Sequence, residues 1–275
     1  MEMVPLEPTI GVEIRGVQMA EAEGDTLDAI RRAVWEHGVA VFRDQSLTPE
    51  QHIAFAKRWG GIDLNNYFSL HEAQPEIALV KKRADQVMNI GGGWHTDHSY
   101  DAVPAMGSIL VARELPPSGG DTLFAHMGAA YDLLAPEVKQ QIEGLRTWHS
   151  ADHVYSLEGV YAQTDMASEL RGQDLKAGAE HPVVIRHPQT GCELLYVNPG
   201  FTTHSVGMTR DESLGLLQQL YAAAVDPAHQ YRLEWREGTV AIWDNRTTWH
   251  YALNDYQGYA REMHRITLTG ELLAA

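Results

Sequence analysis

Short apolar runs, cut apart by turn-forming residues, constrain the fold of this chain more than any other feature. Val39–Arg43, Ile77–Lys81, Ser108–Glu114, Val183–Arg186, Leu194–Asn198, Tyr231–Trp235, Val240–Trp243 and Met263–Thr269 read as strands. Pro117-Ser118-Gly119-Gly120, Pro188-Gln189-Thr190-Gly191 and Glu237-Gly238 supply turns between several of them. No helix alternates regularly with these runs, which argues against a parallel sheet of βαβ units. The expectation is a mainly β chain with some α (α+β), an antiparallel sandwich or jelly roll with flanking helices.

Three segments carry helix signals. Asp25 is placed to cap a segment with Leu27, Ile30 and Val34 on one face, stopped at Gly38. Thr48, Pro49 and Gln51 form a capping-box pattern ahead of Phe55 and Trp59, with a stop at Gly60-Gly61. Thr209 with Glu212 opens a third helix, whose apolar side is expected to hold Leu214, Leu217, Leu220 and Tyr221. With no repeat, no linker and 275 residues, a single domain over 1–275 is the simplest organisation. The polar, weakly periodic segment 155–180 is expected to be a lid or a subunit-contact insertion.

Charge narrows the partners. Lys plus Arg number 21 against 37 Asp plus Glu, a formal net charge of −16. That disfavours nucleic acid and anionic membrane surfaces, both of which need a basic face. The single cysteine, Cys192, excludes an intrachain disulfide and fits a reducing, cytoplasmic setting. The N-terminus lacks the apolar core of a signal peptide, and no run reaches the length of a membrane span.

His-x-Asp/Glu occurs once, as His95-Thr96-Asp97. On a strand, residues two apart share a face, so one imidazole and one carboxylate can reach a single ion. His250 follows a strand-like run and the turn Asn245-Arg246, and is a third donor. Two imidazoles and a carboxylate form a facial triad that leaves open positions and suits Fe(II). Any one of these histidines, alone, would read as a structural residue. Arg261 and Arg265, neighbours on a helix and on one face of a strand, could bind carboxylates, although spacing alone favours solvated surface charges. Thr122, after Gly119-Gly120-Asp121, could add a hydroxyl to the same anion. Trp94, Tyr100, Tyr196 and Trp243 read as core, and His264 as structural.

Taken together these stretches resemble the Fe(II)- and 2-oxoglutarate-dependent dioxygenases of the taurine dioxygenase (TauD/TfdA) family. The resemblance runs in order through Trp94-His95-Thr96-Asp97, Leu115-Pro116 to Gly119-Gly120-Asp121-Thr122 and Leu195-Tyr196-Val197-Asn198 with Phe201-Thr202-Thr203. It continues through Ile242-Trp243-Asp244-Asn245-Arg246, His250-Tyr251-Ala252 and Arg261-Glu262-Met263-His264-Arg265. It implies a double-stranded β-helix core and iron held by His95, Asp97 and His250. It also implies 2-oxoglutarate held by Arg261 and Thr122, O2 as co-substrate, and Arg265 facing an anionic group of the substrate. Asn65, Phe68, Gly91, His98 and Phe201 are the further substrate-contact candidates. Gly91 stands where taurine enzymes have Asn, and Asn65 and Phe68 where they have a His and a Tyr, so the resemblance does not extend to taurine as substrate. The expected reaction is hydroxylation of a small organic anion, with C–O, C–S or C–N cleavage where the product is unstable, and release of succinate and CO2. A homo-oligomer, dimer or tetramer, is expected. Two other readings use the same residues: a zinc hydrolase, which would need neither Arg261 nor Thr122 nor O2, and a non-catalytic jelly-roll binding protein.

Overall fold

Side chains of the strand Val39–Phe42 alternate between two buried worlds. Val39 and Val41 face a core shared with Phe124, Leu233, Ala241 and Trp243. Ala40 and Phe42 face a second core with Leu27, Ile30, Val34, Ile53 and Phe55 from two helices. Val240–Asp244 behaves the same way and is buried along its whole length. Such strands read as continuous apolar runs because a sheet covered on both faces has no solvent side.

The computed structural model describes residues 1–175 and 177–275. One long sheet has the order Glu2–Pro5, Val12–Arg15, Val39–Phe42, Val240–Asp244, Gly107–Glu114, Arg261–Leu268 and Ile62–Asp63, with Ala78–Lys82 also pairing to Arg261–Leu268. Its pairings are antiparallel except that between Val12–Arg15 and Val39–Phe42. Three smaller antiparallel sheets complete the β structure. Gln230–Leu233, Thr122–His126 and Thr248–Ala252 form one; Thr202–Ser205, Arg146–Ser150 and Gly178–Pro182 form another; Val184–Arg186 pairs with Glu193–Leu195. Phe124, Tyr231 and Leu233 of the first small sheet pack on Val41, Leu110, Trp243 and Met263 of the long sheet. This is the jelly-roll core, and Leu110, Thr122, Trp243, His250, Arg261 and Arg265 from the strands of both sheets line the polar site. Burying each large apolar side chain there contributes roughly 1.5–3 kcal/mol.

The helices Gly24–His37 and Pro49–Trp59 cover the outer face of the long sheet. Thr48 and Gln51 make the reciprocal capping box, as do Thr209 and Glu212 at the start of Arg210–Ala224. Two helix expectations are corrected. Asp25 is not a cap: Glu23 holds that position without a side-chain bond, and Asp25 sits in the first turn, where its charge favours the helix dipole. Leu214 is 51% exposed. The buried stripe of that helix is Ser213, Leu217, Leu220 and Ala224, and Tyr221 is half-buried beside it against Trp249. Short helices at Met127–Asp132 and Pro136–Ile142 carried too few turns of periodicity to be read in advance.

The 155–180 segment is not one insertion. It holds 3-10 turns at Tyr161–Gln163 and Asp165–Glu169, and from Gly178 it is already strand, paired with Arg146–Ser150. Lys176 lies outside the described residues. Among the described residues no helix is long and apolar enough to cross a membrane.

Candidate active site

Thr248–Ala252 pairs with Thr122–His126, placing His250 opposite Phe124. His95 then adds a two-bond bridge: its N–H donates to the His250 carbonyl at 3.1 Å, and the His250 N–H donates to the His95 carbonyl at 2.8 Å. The imidazoles face each other at 4.2 Å between centroids. Asp97 arrives differently from the sequence expectation. His95 is an isolated bridge rather than part of a strand, and Asp97 begins a turn in which His98 takes a positive φ of 59°. Turn geometry, not strand alternation, brings the carboxylate to the imidazoles.

One ligand atom from each of His95, Asp97 and His250 lies within 4.8 Å of the others. Asp97 Oδ1 is 3.7 Å from His95 Nε2 and Oδ2 is 3.7 Å from His250 Nε2. His95 Nδ1 donates to the Gly93 carbonyl at 2.8 Å, which leaves Nε2 as the lone-pair nitrogen facing Asp97. The His250 ring packs against Trp243 and Phe124. Burial, then the neighbouring His95, draws the His250 imidazole down to about 3, so it is neutral at pH 7. Burial pushes the Asp97 carboxyl up, but Arg265, His250 and His95 outweigh it and hold Asp97 below the usual carboxylate range. Two imidazole nitrogens and a carboxylate gathered at one point are a donor set that suits a divalent metal.

The support beneath the triad is a polar brace. Thr96 Oγ1 donates to the Asn245 carbonyl at 2.5 Å, and Trp243 Nε1 donates to Asn245 Oδ1 at 2.8 Å. Arg246 grips the buried Asp244 carboxylate with Nε at 2.9 Å and Nη2 at 2.6 Å. Asn198 ties Ser99 to the loop that carries Phe201, through bonds of 3.0 and 2.8 Å. Asp244, Asn245, Arg246 and Asn198 therefore brace the loops that carry the triad, while Trp243 and Phe201 of the same segments reach the cavities themselves.

Arg261 and Arg265 leave one strand on its inward face and line one cavity with His95, Asp97, His250, Thr122, Phe68 and Gly91. Neither is a surface charge: each is 5% exposed. Arg265 Nη1 donates to Asp97 Oδ2 at 3.0 Å, and its guanidinium lies 4.8 Å from the centre of the Phe68 ring. Arg261 has no carboxylate partner among the described residues, and its Nε and Nη2 are buried without hydrogen bonds. Burial pulls its pKa down, with Tyr256 and Asp121 opposing. Gly120, at φ +73°, lies against its stem, where an added Cβ would stand 3.2 Å from Cδ. A buried, unpaired guanidinium is costly, and a ligand carboxylate is the natural remedy. Thr122, 4% exposed, sits in the same cavity.

A second, outer cavity of about 220 Å³ shares Gly91, His95 and Tyr155 with the first and adds Trp94, Tyr161, Pro199 and Phe201. Tyr155 was not singled out from the sequence; it stacks on Tyr67 at 4.6 Å and packs near Phe201 and Tyr161. Trp243, Tyr100 and Tyr196 are buried as expected, Trp243 also touching the inner cavity, whereas Trp94 is only half-buried and lines the outer one. His264 is structural: it takes a bond from Arg113 and packs on His71.

Two substrate-contact candidates turn out elsewhere. Asn65 spends its side-chain oxygen on the N–H groups of Tyr67 and Phe68, at 2.9 and 2.7 Å, closing a turn. His98 turns away to Asp101 at 2.8 Å and Asp63 at 3.7 Å, and lines neither cavity. Phe68, Gly91 and Phe201 do line them.

The sequence profile of the taurine catabolism dioxygenase TauD, TfdA family matches residues 2–267. This chain belongs to the TauD/TfdA family. The TauD/TfdA relatives include an (S)-phenoxypropionate/alpha-ketoglutarate-dioxygenase of Sphingobium herbicidovorans, 36% identical over 91% of this chain and 88% of its own. A taurine dioxygenase from Burkholderia xenovorans superposes with a TM-score of 0.83 at 32% identity, covering 100% of this chain and 91% of that one. AAD-2, solved in complex with Mn(II) and N-oxalylglycine, superposes with a TM-score of 0.82 at 28% identity, covering 100% and 99%. The reaction class of this TauD/TfdA chain is that of a 2-oxoglutarate-dependent dioxygenase using Fe(II) and O2.

Proposed function

We propose that His95, Asp97 and His250 hold Fe(II), that Arg261 and Thr122 hold the far carboxylate of 2-oxoglutarate, and that Arg265 takes the anionic group of the substrate. The buried, unpaired guanidinium of Arg261 in the same cavity as the triad carries this reading. A zinc hydrolase would leave that cation without a task. When bound, iron and keto acid supply oxidation of a C–H bond by O2, with release of succinate and CO2. The protein's part is placement. Arg261 fixes one end of the keto acid by a charge-assisted bond, so its other end is aimed at the triad. Among the described residues Arg265 Nε has no hydrogen-bond partner while Nη1 holds Asp97, so one residue couples the substrate anion to the metal carboxylate.

The substrate we infer is a small organic anion with an apolar body. Tyr155, Tyr161, Phe201, Trp94 and Pro199 give the outer cavity aromatic and apolar walls, which suit a ring or short alkyl group. Taurine suits them poorly, because Asn65 is committed to its turn and Phe68 offers no hydroxyl. Hydroxylation at a carbon bearing oxygen, sulfur or nitrogen would let the product collapse and cleave that bond. The relative that acts on (S)-phenoxypropionate supports an aryloxyalkanoate-like anion.

The 155–180 segment, up to the strand that begins at Gly178, is proposed as a lid of this site or a subunit contact. The Gly91 N–H donates to the Tyr161 hydroxyl at 2.8 Å. Asp165 accepts from the N–H groups of Val87 and Met88, and buried Glu169 binds Arg83, Gln86 and Lys81. The remaining expectations stand as part of this proposal: one domain, a homo-oligomer, a cytoplasmic setting, and no nucleic-acid or membrane partner for a chain of charge −16. A panel of aryloxyalkanoates, alkyl sulfates and sulfonates, assayed by succinate release, tests the substrate class. Faster release with an apolar-bodied anion than with taurine is expected; a preference for taurine would overturn it.

A further inference from the structure

We propose that Trp235 is a positioning residue for the 2-oxoglutarate carboxylate, acting at once on Thr122 and on Arg261. The inference rests on the 2-oxoglutarate reading above. Trp235 Nε1 donates to Thr122 Oγ1 at 2.9 Å. An indole N–H can only donate, so it occupies a lone pair of the threonine oxygen and leaves the single Thr122 O–H free to donate elsewhere. Thr122 and Arg261 line the same cavity, so a carboxylate lodged there meets that O–H and the guanidinium together. The same indole carries Arg261, whose guanidinium carbon lies 5.8 Å from the ring centroid. In the absence of a carboxylate partner, the ring face attracts the buried cation and holds it in place.

The strand register explains the juxtaposition. Leu233 pairs with Thr122 at the end of the small sheet, so the chain leaving that strand sets Trp235 beside the threonine. The loop is pinned on both sides of the tryptophan. Arg43 Nη1 donates to the Glu234 carbonyl at 2.8 Å, and the Thr239 N–H donates to the Arg236 carbonyl at 3.0 Å. Trp235 is 7% exposed. Hydroxyl and guanidinium are therefore oriented before the ligand arrives, which lowers the ordering cost of binding.

The test is calorimetric titration of 2-oxoglutarate into Mn(II)-loaded protein, where no turnover occurs. Trp235→Phe keeps a ring under Arg261 and removes the N–H. It should raise the 2-oxoglutarate Kd about tenfold (~1.4 kcal/mol) while leaving the Mn(II) Kd unchanged. Trp235→Leu removes ring and N–H together and should raise the Kd further; either variant, if it melts cooperatively, carries the test. In a Thr122→Val background, Trp235→Phe should add less than half of its single-variant effect, because the N–H has lost its acceptor. A Trp235→Phe Kd within twofold of wild type, or fully additive losses, would overturn the proposal. Failure of wild-type protein to bind 2-oxoglutarate at all would instead overturn the reading beneath it.

Discussion

Arg265 donates Nη1 to Oδ2 of Asp97 across 3.0 Å, so the guanidinium of the substrate cavity and the carboxylate of the histidine–aspartate triad form one buried ion pair. Ser108 approaches the same oxygen at 3.4 Å. On the proposed assignment, this pair makes anion binding at Arg265 and metal binding at Asp97 adjacent events rather than separate ones.

Arg265→Gln should therefore raise the substrate KM about 100-fold, in keeping with loss of a charge-assisted pair in a buried site. The 2-oxoglutarate Kd, which the proposal assigns to Arg261 and Thr122, should change less than threefold. Steady-state kinetics with both substrates varied checks this, and an unchanged substrate KM would remove Arg265 from the substrate role.

Gly91 holds φ at +77°, and an added Cβ would stand 3.3 Å from Cε1 of His95. Gly91→Ala should strain the backbone by about 1 kcal/mol and press on a triad imidazole. Fe(II) affinity is expected to fall several-fold while the Kd of 2-oxoglutarate for already loaded protein stays put. Metal titration of the variant reads this directly.

Glu169 is 2% exposed and gathers Arg83, Lys81 and Gln86 onto the proposed lid, the 155–180 segment. Glu169→Ala should loosen that segment. Limited proteolysis should cut it several-fold faster than in wild type, and the substrate KM should rise with little change in 2-oxoglutarate affinity. Equal cleavage rates would show that the latch does not hold the lid.

Burial raises the Asp244 carboxyl, but Arg246 and His187 outweigh it and hold it below the usual carboxylate range. A carboxyl depressed on folding contributes stability that is present above its unfolded pKa of about 3.9. That stability is lost as pH falls toward the folded value. Asp244→Asn should cost about 3–5 kcal/mol at pH 7, because it leaves Arg246 buried without its ion partner. The gap from wild type should narrow below pH ~4. Denaturant melts at pH 7 and in acid would show whether it does.

The outer skeleton was legible wherever apolar residues dominate. Val39–Phe42, Gly107–Glu114, Val240–Asp244 and Arg261–Leu268 lie within one or two residues of their expected positions, and the Thr48 and Thr209 capping boxes form as read. Thr122–His126 and Thr248–Ala252 went unread, because their inward residues include Thr122, Thr248 and His250. The strands that build the site carry polar groups where the core pattern calls for apolar ones, so local consistency fails where function sits. His95, Asp97 and His250, picked by residue type and motif, do come together in space, but through a bridge and a turn rather than along one strand. Asn65 and His98 looked like substrate contacts, but their short polar side chains close turns instead. Trp235 and Tyr155 escaped notice because nothing local separates an aromatic that packs from one that positions a neighbour.

The most direct test of the central claim needs no substrate. Fe(II) and 2-oxoglutarate are added to the protein without oxygen, and the visible spectrum is recorded. A weak charge-transfer band is expected in wild type, absent in Asp97→Ala and in Arg261→Ala at the same ligand concentration. No band in folded, iron-loaded wild-type protein would contradict the assignment of this cavity to iron and 2-oxoglutarate.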